Sequence, residues 1–175
     1  MEKSLEALSK CCLWREYLLI FVCLGTKRFS FNRLLKELDR LVEKGAVKDS
    51  LVAQIGHSTY KPKNYEYKSF MDLDEYNAYV NEADLIITHG GTGAIIRALK
   101  AEKQVIAVPR LAKYEEHSDN HQLQIIDHFF KEGYIYKVQN PSELETALNK
   151  VRIKPIKKKF SGGGNIINIL DQYIK

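Results

Sequence analysis

Residues 84–99 read DLIITHGGTGAIIRAL: an apolar run, a histidine, two glycines, a threonine, a third glycine, and then helical spacing at once. A strand that passes into a helix through bare backbone restricts the fold sharply. It is the first half of a β-α-β unit, in which the helix carries the chain across to the next parallel strand. The rest of the chain repeats this alternation. YLLIFVCL (17–24) is a continuous apolar run ending at Gly25, the pattern of a central strand buried on both faces. Leu34, Leu35, Leu38, Leu41 and Val42 then recur at helical spacing, with Ser30 or Asn32 as the cap and Gly45 at the end.

SLVAQIG (50–56) and YEYKSF (65–70) are expected strands, separated by a loop rich in lysine and tyrosine. DLDE (72–75) has the form of a capping box and opens a helix to about residue 82. QVIAVP is a strand, DNHQLQIIDHFFKEG an amphipathic helix ending at Gly133, and YIYKV another strand. In NPSE (140–143), Asn140 caps a further helix, Pro141 sits in its first turn and Glu143 reaches back. A last helix is expected over 165–174, after SGGG. The expectation is therefore an α/β fold: one Rossmann-like domain over 17–175, its mostly parallel sheet covered by helices on both faces. Residues 1–16 form an N-terminal extension with helical spacing at Leu5, Leu8, Cys12 and Leu13. A length of 175 residues suits one core.

Net charge is +5, with part of the excess in Arg152, Lys154 and Lys157–Lys159. That run reads as a solvated tail segment, with attraction to an anionic surface as the functional alternative. It lacks interleaved aromatics, and no nucleic-acid-binding motif accompanies it, so no nucleic-acid partner is expected. Cys11, Cys12 and Cys23 give an odd count without metal-ligand spacing, which favours a reducing cytoplasm over a disulfide framework. The run at 17–24 is far shorter than the roughly 20 residues that span a bilayer.

Ligands of such sheets sit at the carboxyl ends of the strands, where three loops should converge: LGTKRF (24–29), HGGTG (89–93) and PRLAKYEEHSDNHQ (109–122). Gly90, Gly91 and Gly93 open backbone N–H groups to a diphosphate at a helix N-terminus, and Thr92 adds a hydroxyl. The alternative is a tight turn in which glycine only supplies unusual φ values. The spacing is neither G-x-G-x-x-G nor a Walker loop, so nicotinamide and P-loop chemistry are disfavoured. His89 either touches the phosphate or the reacting sugar, or holds the loop by hydrogen bonds.

His117, Asp119 and His121 lack a convincing further ligand, and no metal is expected. Asp72 and Asp74 are better spent on the helix cap than on a metal. Glu115 and Glu116 read as solvated, with a general base as the lesser alternative. Asn120 and Gln122 suit sugar hydroxyls, since both donate and accept hydrogen bonds. Tyr60, Tyr65 and Tyr67, among Lys61, Lys63 and Lys68, fit either a nucleic-acid platform or an exposed strand and partner interface.

Taken in order, IFVCLGTKRF, SFMDLDEYNAYVNEADLIITHGGTGAIIRAL and VIAVPR…DNHQ resemble the C-terminal, donor-binding half of glycosyltransferase family 28. The likeness is to its small one-domain subunits, found in bacterial capsule and exopolysaccharide synthesis and in the eukaryotic dolichol-linked N-acetylglucosamine pathway. It implies half of a GT-B fold holding a UDP-sugar. HGGTG (His89–Gly93) with Gly25 and Thr26 would meet the diphosphate, Phe70 and Met71 the uracil, and Asn120, His121 and Gln122 the donor sugar. His89 is the one catalytic candidate. A fused relative carries a ribose-binding glutamate where this chain has Leu99.

The same resemblance implies inverting transfer of a hexose or N-acetylhexosamine to a polyprenyl-diphosphate-linked acceptor, without a metal or other cofactor. The acceptor half, with the proposed base, would lie on a membrane-associated partner subunit that recruits this cytoplasmic chain to the inner membrane face. A non-catalytic enhancer of such a transferase is the alternative, and an unrelated nucleotide-binding module ranks last.

Overall fold

The computed structural model describes residues 18–161. The expected helices at the two ends, over 3–16 and 165–174, lie outside the described residues. Six strands form one sheet, all parallel: β1 Leu19–Cys23, β2 Ser50–Gln54, β3 Glu66–Lys68, β4 Leu85–Thr88, β5 Gln104–Ala107 and β6 Tyr136–Lys137. Their spatial order is β3-β2-β1-β4-β5-β6, the Rossmann order. Among the described residues four helices connect strands, α1 Asn32–Glu43, α2 Leu73–Glu82, α3 Thr92–Lys100 and α4 His121–Lys131, and a fifth, α5 Leu144–Ile153, follows β6.

The apolar strands divide their side chains between two cores, as the period of 2 requires. From β1, Ile20 and Val22 join Leu34, Leu38, Leu41, Leu144 and Leu148 on the α1–α5 face. Phe21 and Cys23 join Val80, Ile95, Leu99, Ile126 and Phe129 on the α2–α3–α4 face. Leu99, at the position of the missing glutamate, is therefore a buried packing residue. The edge strand β3 is shorter than the six residues expected, and all three of its residues are exposed.

The Asp72 cap is present, its Oδ1 accepting from Glu75 N at 2.8 Å. Neither Ser30 nor Asn32 caps α1. The cap position falls on Phe31, whose N–H donates to Ser58 Oγ from the next loop, while the Asn32 side chain bonds Thr59 and Tyr60. Asn140 does accept from Ser142 N, but residues 141–143 form a 3₁₀ turn and α5 begins only at Leu144. The tyrosine-rich loop is packed rather than displayed. Tyr60 Oη donates to Asp39 at 2.5 Å, Tyr65 Oη donates to Leu35 O at 3.2 Å, and the N–H groups of Lys63 and Asn64 also close on the Asp39 carboxylate. This uses up two of the three aromatics that a nucleic-acid platform would need.

Candidate functional site

β1 runs to β2 and β3 on one side, and β4 starts the other half of the sheet, so the order reverses between β1 and β4. A cavity of about 770 Å³ opens there, at the carboxyl ends of the strands. Its walls come from the loop after β1 (Gly25, Thr26, Lys27), the end of β2 (Gln54), the start of α2 (Met71, Asp72, Leu73, Tyr76), the β4–α3 seam (His89–Ala94) with Arg97, and the start of α4 with the residues before it (His117, Asp119, His121, Gln122).

The seam explains its own composition. Ile95 N is the first amide of α3 bonded within the helix, to Gly91 O at 3.2 Å, and Gly91 supplies no side-chain cap. The amides of Thr92, Gly93 and Ala94 thus precede the helical ladder, at the positive end of the helix dipole, and all three residues line the cavity.

The three glycines do different jobs. A Cβ on Gly91 would stand 2.5 Å from His89 Nε2, and one on Gly25 would stand 2.7 Å from the same atom. The Nε2–Cε1 edge of His89 packs close to two backbones that lack side chains. A Cβ on Gly90 would meet Gln122 Cβ at 2.5 Å, whereas one on Gly93 meets nothing within 4 Å. None of the three has a positive φ, so the unusual-φ reading of the turn does not hold. Gly56 is the glycine whose conformation matters here: its φ is +58°, and a Cβ would reach Gly25 O at 2.6 Å.

His89 is 8% exposed. Burial, then the neighbouring Arg110 charge, push its pKa down to about 3, against a weaker upward pull from the Cys23 backbone. The ring is neutral at physiological pH. Two buried glutamines tie the loops together. Gln122 Oε1 accepts from Gly90 N at 3.2 Å and Arg110 N at 3.0 Å. Gln54 Nε2 donates to Leu24 O at 3.1 Å while its Oε1 accepts from Met71 N at 3.0 Å.

Of the expected site residues, Gly25, Thr26, Met71, His89, Gly90, Gly91, Thr92, Gly93, His121 and Gln122 line the cavity together. Phe70 does not; it is 46% exposed and packs edge-on against His57. Asn120 does not either, its Oδ1 accepting from Ala112 N at 3.1 Å. Gln122 is present, but the oxygen expected to read a sugar is engaged by backbone. Glu116 is not solvated: it is buried and takes a two-pronged bond from Arg33, at 3.1 and 2.9 Å. His117 Nδ1 lies 3.2 Å from Asp119 Oδ1, and its ring packs on Phe29 from the β1 loop. Sequence reasoning missed Gln54, Lys27 and Arg97. Gln54 left one signal, a polar residue in the last position of an otherwise apolar strand.

The six-stranded sheet with an uncapped helix N-terminus at its switch point defines a Rossmann-like α/β domain. The chain belongs to the family described as glycosyltransferase family 28 C-terminal domain, whose model matches residues 19–161. It is 30% identical over 128 residues to UDP-N-acetylglucosamine transferase subunit ALG13 of Mus musculus, a match covering 66% of this chain and 10% of that protein. The chain thus spans about a tenth of that relative's length. The solution structure of ALG13 superimposes with a TM-score of 0.59 at 18% identity, over 89% of this chain and 95% of that one. The glycotransferase of kitacinnamycin gives 0.61 at 21% identity, over 79% of this chain and 35% of that one. The fold is the Rossmann-like half of a GT-B glycosyltransferase.

Proposed function

We propose that this chain is the donor-binding, catalytic subunit of a two-part inverting glycosyltransferase. It holds a UDP-sugar and transfers a hexose or N-acetylhexosamine to a polyprenyl-diphosphate-linked acceptor. The observation that carries the reading is the open N-terminus of α3 in the wall of a large cavity at the switch point, flanked by Lys27 and Arg97. An acceptor hydroxyl attacks the anomeric carbon, the glycosidic bond to the diphosphate breaks, and UDP departs. The α3 amides and the two cations stabilise the charge on the leaving diphosphate without a metal ion.

His89 is a positioning residue in this scheme. A neutral imidazole whose pKa is about 3 is a poor proton acceptor at pH 7. The base that deprotonates the acceptor, and the acceptor site itself, belong to a membrane-associated partner subunit, which holds this cytoplasmic chain at the inner membrane face. The family match and the likeness to a named transferase subunit support the partnership.

Calorimetric titration of the chain with UDP, against ADP and GDP, tests the donor site. Selective UDP binding that disappears in Gly93→Val is the expected result. Absence of nucleotide binding, with and without the partner subunit, sinks the catalytic reading and leaves the non-catalytic enhancer.

A further inference from the structure

Arg110 is fully buried, and its Nε, Nη1 and Nη2 are, among the described residues, the buried side-chain atoms with no hydrogen-bond partner. A guanidinium carries five N–H donors, and burying it unbonded is costly. The carboxylate whose charge it feels, Glu116, offers little relief. Burial pushes the Arg110 pKa down to about 10, and Glu116 opposes this only in part, its two oxygens being taken by the Arg33 fork and by Leu111 N. What Arg110 does touch is an aromatic face, the Phe31 ring, 5.6 Å from its guanidinium carbon. A chain that only needed to fill this space would do better with methionine or leucine.

The location suggests the use. Arg110 follows β5, and its N–H shares Gln122 Oε1 with the N–H of Gly90, so it stands directly behind the glycine turn. His89, which lines the cavity, registers the Arg110 charge. Lys27 and Arg97, the cations in the cavity wall, are exposed and screened by water and salt. Arg110 acts through packed protein, where a charge is felt more strongly and needs no reorganisation when an anion arrives.

We propose that Arg110 is a fixed charge behind the anion end of the cavity, retained to strengthen its hold on a diphosphate and not to hold the fold. It is a positioning residue for charge, since it does not line the cavity. The assignment builds on the UDP-sugar reading, but the test separates the two.

Arg110→Met and Arg110→Lys are compared with wild type by thermal unfolding and by titration with UDP, uridine and inorganic pyrophosphate. The methionine variant is expected to unfold at the wild-type temperature or above it. It loses affinity for UDP and pyrophosphate by about tenfold, the scale for one charge on the order of 10 Å away at an effective dielectric near 20. Uridine binding stays unchanged, and the lysine variant keeps most of the diphosphate affinity. A methionine variant that unfolds earlier or fails to fold, or that loses UDP and uridine equally, overturns the assignment. So does unchanged UDP affinity. If the wild-type chain binds pyrophosphate in an Arg110-dependent way but not UDP, the donor reading fails and the buried charge stands. If it binds no anion, both fail.

Discussion

Alanine in place of Gly91 should destabilise the fold, whereas alanine in place of Gly93, two residues on, should not. The new Cβ at position 91 would stand 2.5 Å from His89 Nε2, on the ring edge that the Gly25 backbone also packs near, so the imidazole must shift to admit it. Forcing such an overlap in a packed wall costs about 1–3 kcal/mol. At Gly93 the added methyl meets nothing within 4 Å. There the substitution only restrains the unfolded chain and improves helix propensity, a gain of up to about 1 kcal/mol. The two variants should therefore differ by about 1–4 kcal/mol in urea unfolding, at an unchanged m-value. Because the clash is with one ring, His89→Ala should restore part of the loss in the Gly91→Ala background, giving a coupling of at least about 0.5 kcal/mol in a double-mutant cycle. Equal stabilities for the two alanine variants, or purely additive effects with His89→Ala, would refute the view that these glycines seat a histidine.

Two further outcomes concern pH. The folded state holds His89 at about 3, well below the usual histidine value of 6.5, so the unfolded chain binds the extra proton between these limits. Stability should fall as pH drops from 6.5 towards 3, with a slope approaching about 1.4 kcal/mol per unit from this group. His89→Gln should flatten that part of the profile, and the His89 ring resonances should show no titration between pH 5 and 7. For Asp39, burial alone would raise the carboxyl pKa, but bonds from Tyr60, Asn64 and Lys63 hold it below 3.8. Its contribution is complete above 3.8 and is lost as pH falls through the folded value. Asp39→Asn should thus cost about 1–3 kcal/mol at pH 7 by denaturant unfolding, with the deficit shrinking in stronger acid.

The layers of the fold were legible because apolar periodicity is a local property. Five-residue apolar strands, the Asp72 cap and the glycine seam all follow from neighbours in sequence. What escaped depends on partners far along the chain. The N–H of Phe31 is served by Ser58, 27 residues later, so looking for a cap at Ser30 or Asn32 failed. Glu116 looked solvated because the arginine that binds it lies 83 positions earlier. The site was legible as a set of loops but less so as a set of roles. Gln122 and Asn120 have the chemistry to read a sugar, yet the same amide groups also satisfy loop backbone, and only the folded arrangement shows which use prevails. The glycines read as opening backbone to a diphosphate. For Gly90 and Gly91, what approaches from within the chain is a side chain.

The pairing of β1 with β4 also governs when the cavity comes into being. Val22 lies opposite Ile87, and Leu19 N reaches Asp84 Oδ2 across 65 residues. During synthesis β1 and β2 emerge before β4, so until β4 follows β1 has an apolar edge that is still unmatched. Both walls of the cleft exist only once the stretch through β4 and the start of α3 has left the ribosome and docked on that edge. Contacts this distant in sequence are slow to form and leave a hydrophobic strand exposed meanwhile. A molecule that fits the cleft thus recognises a chain whose central pairing is complete, and its binding withdraws that chain from the partly assembled forms that aggregate or are degraded.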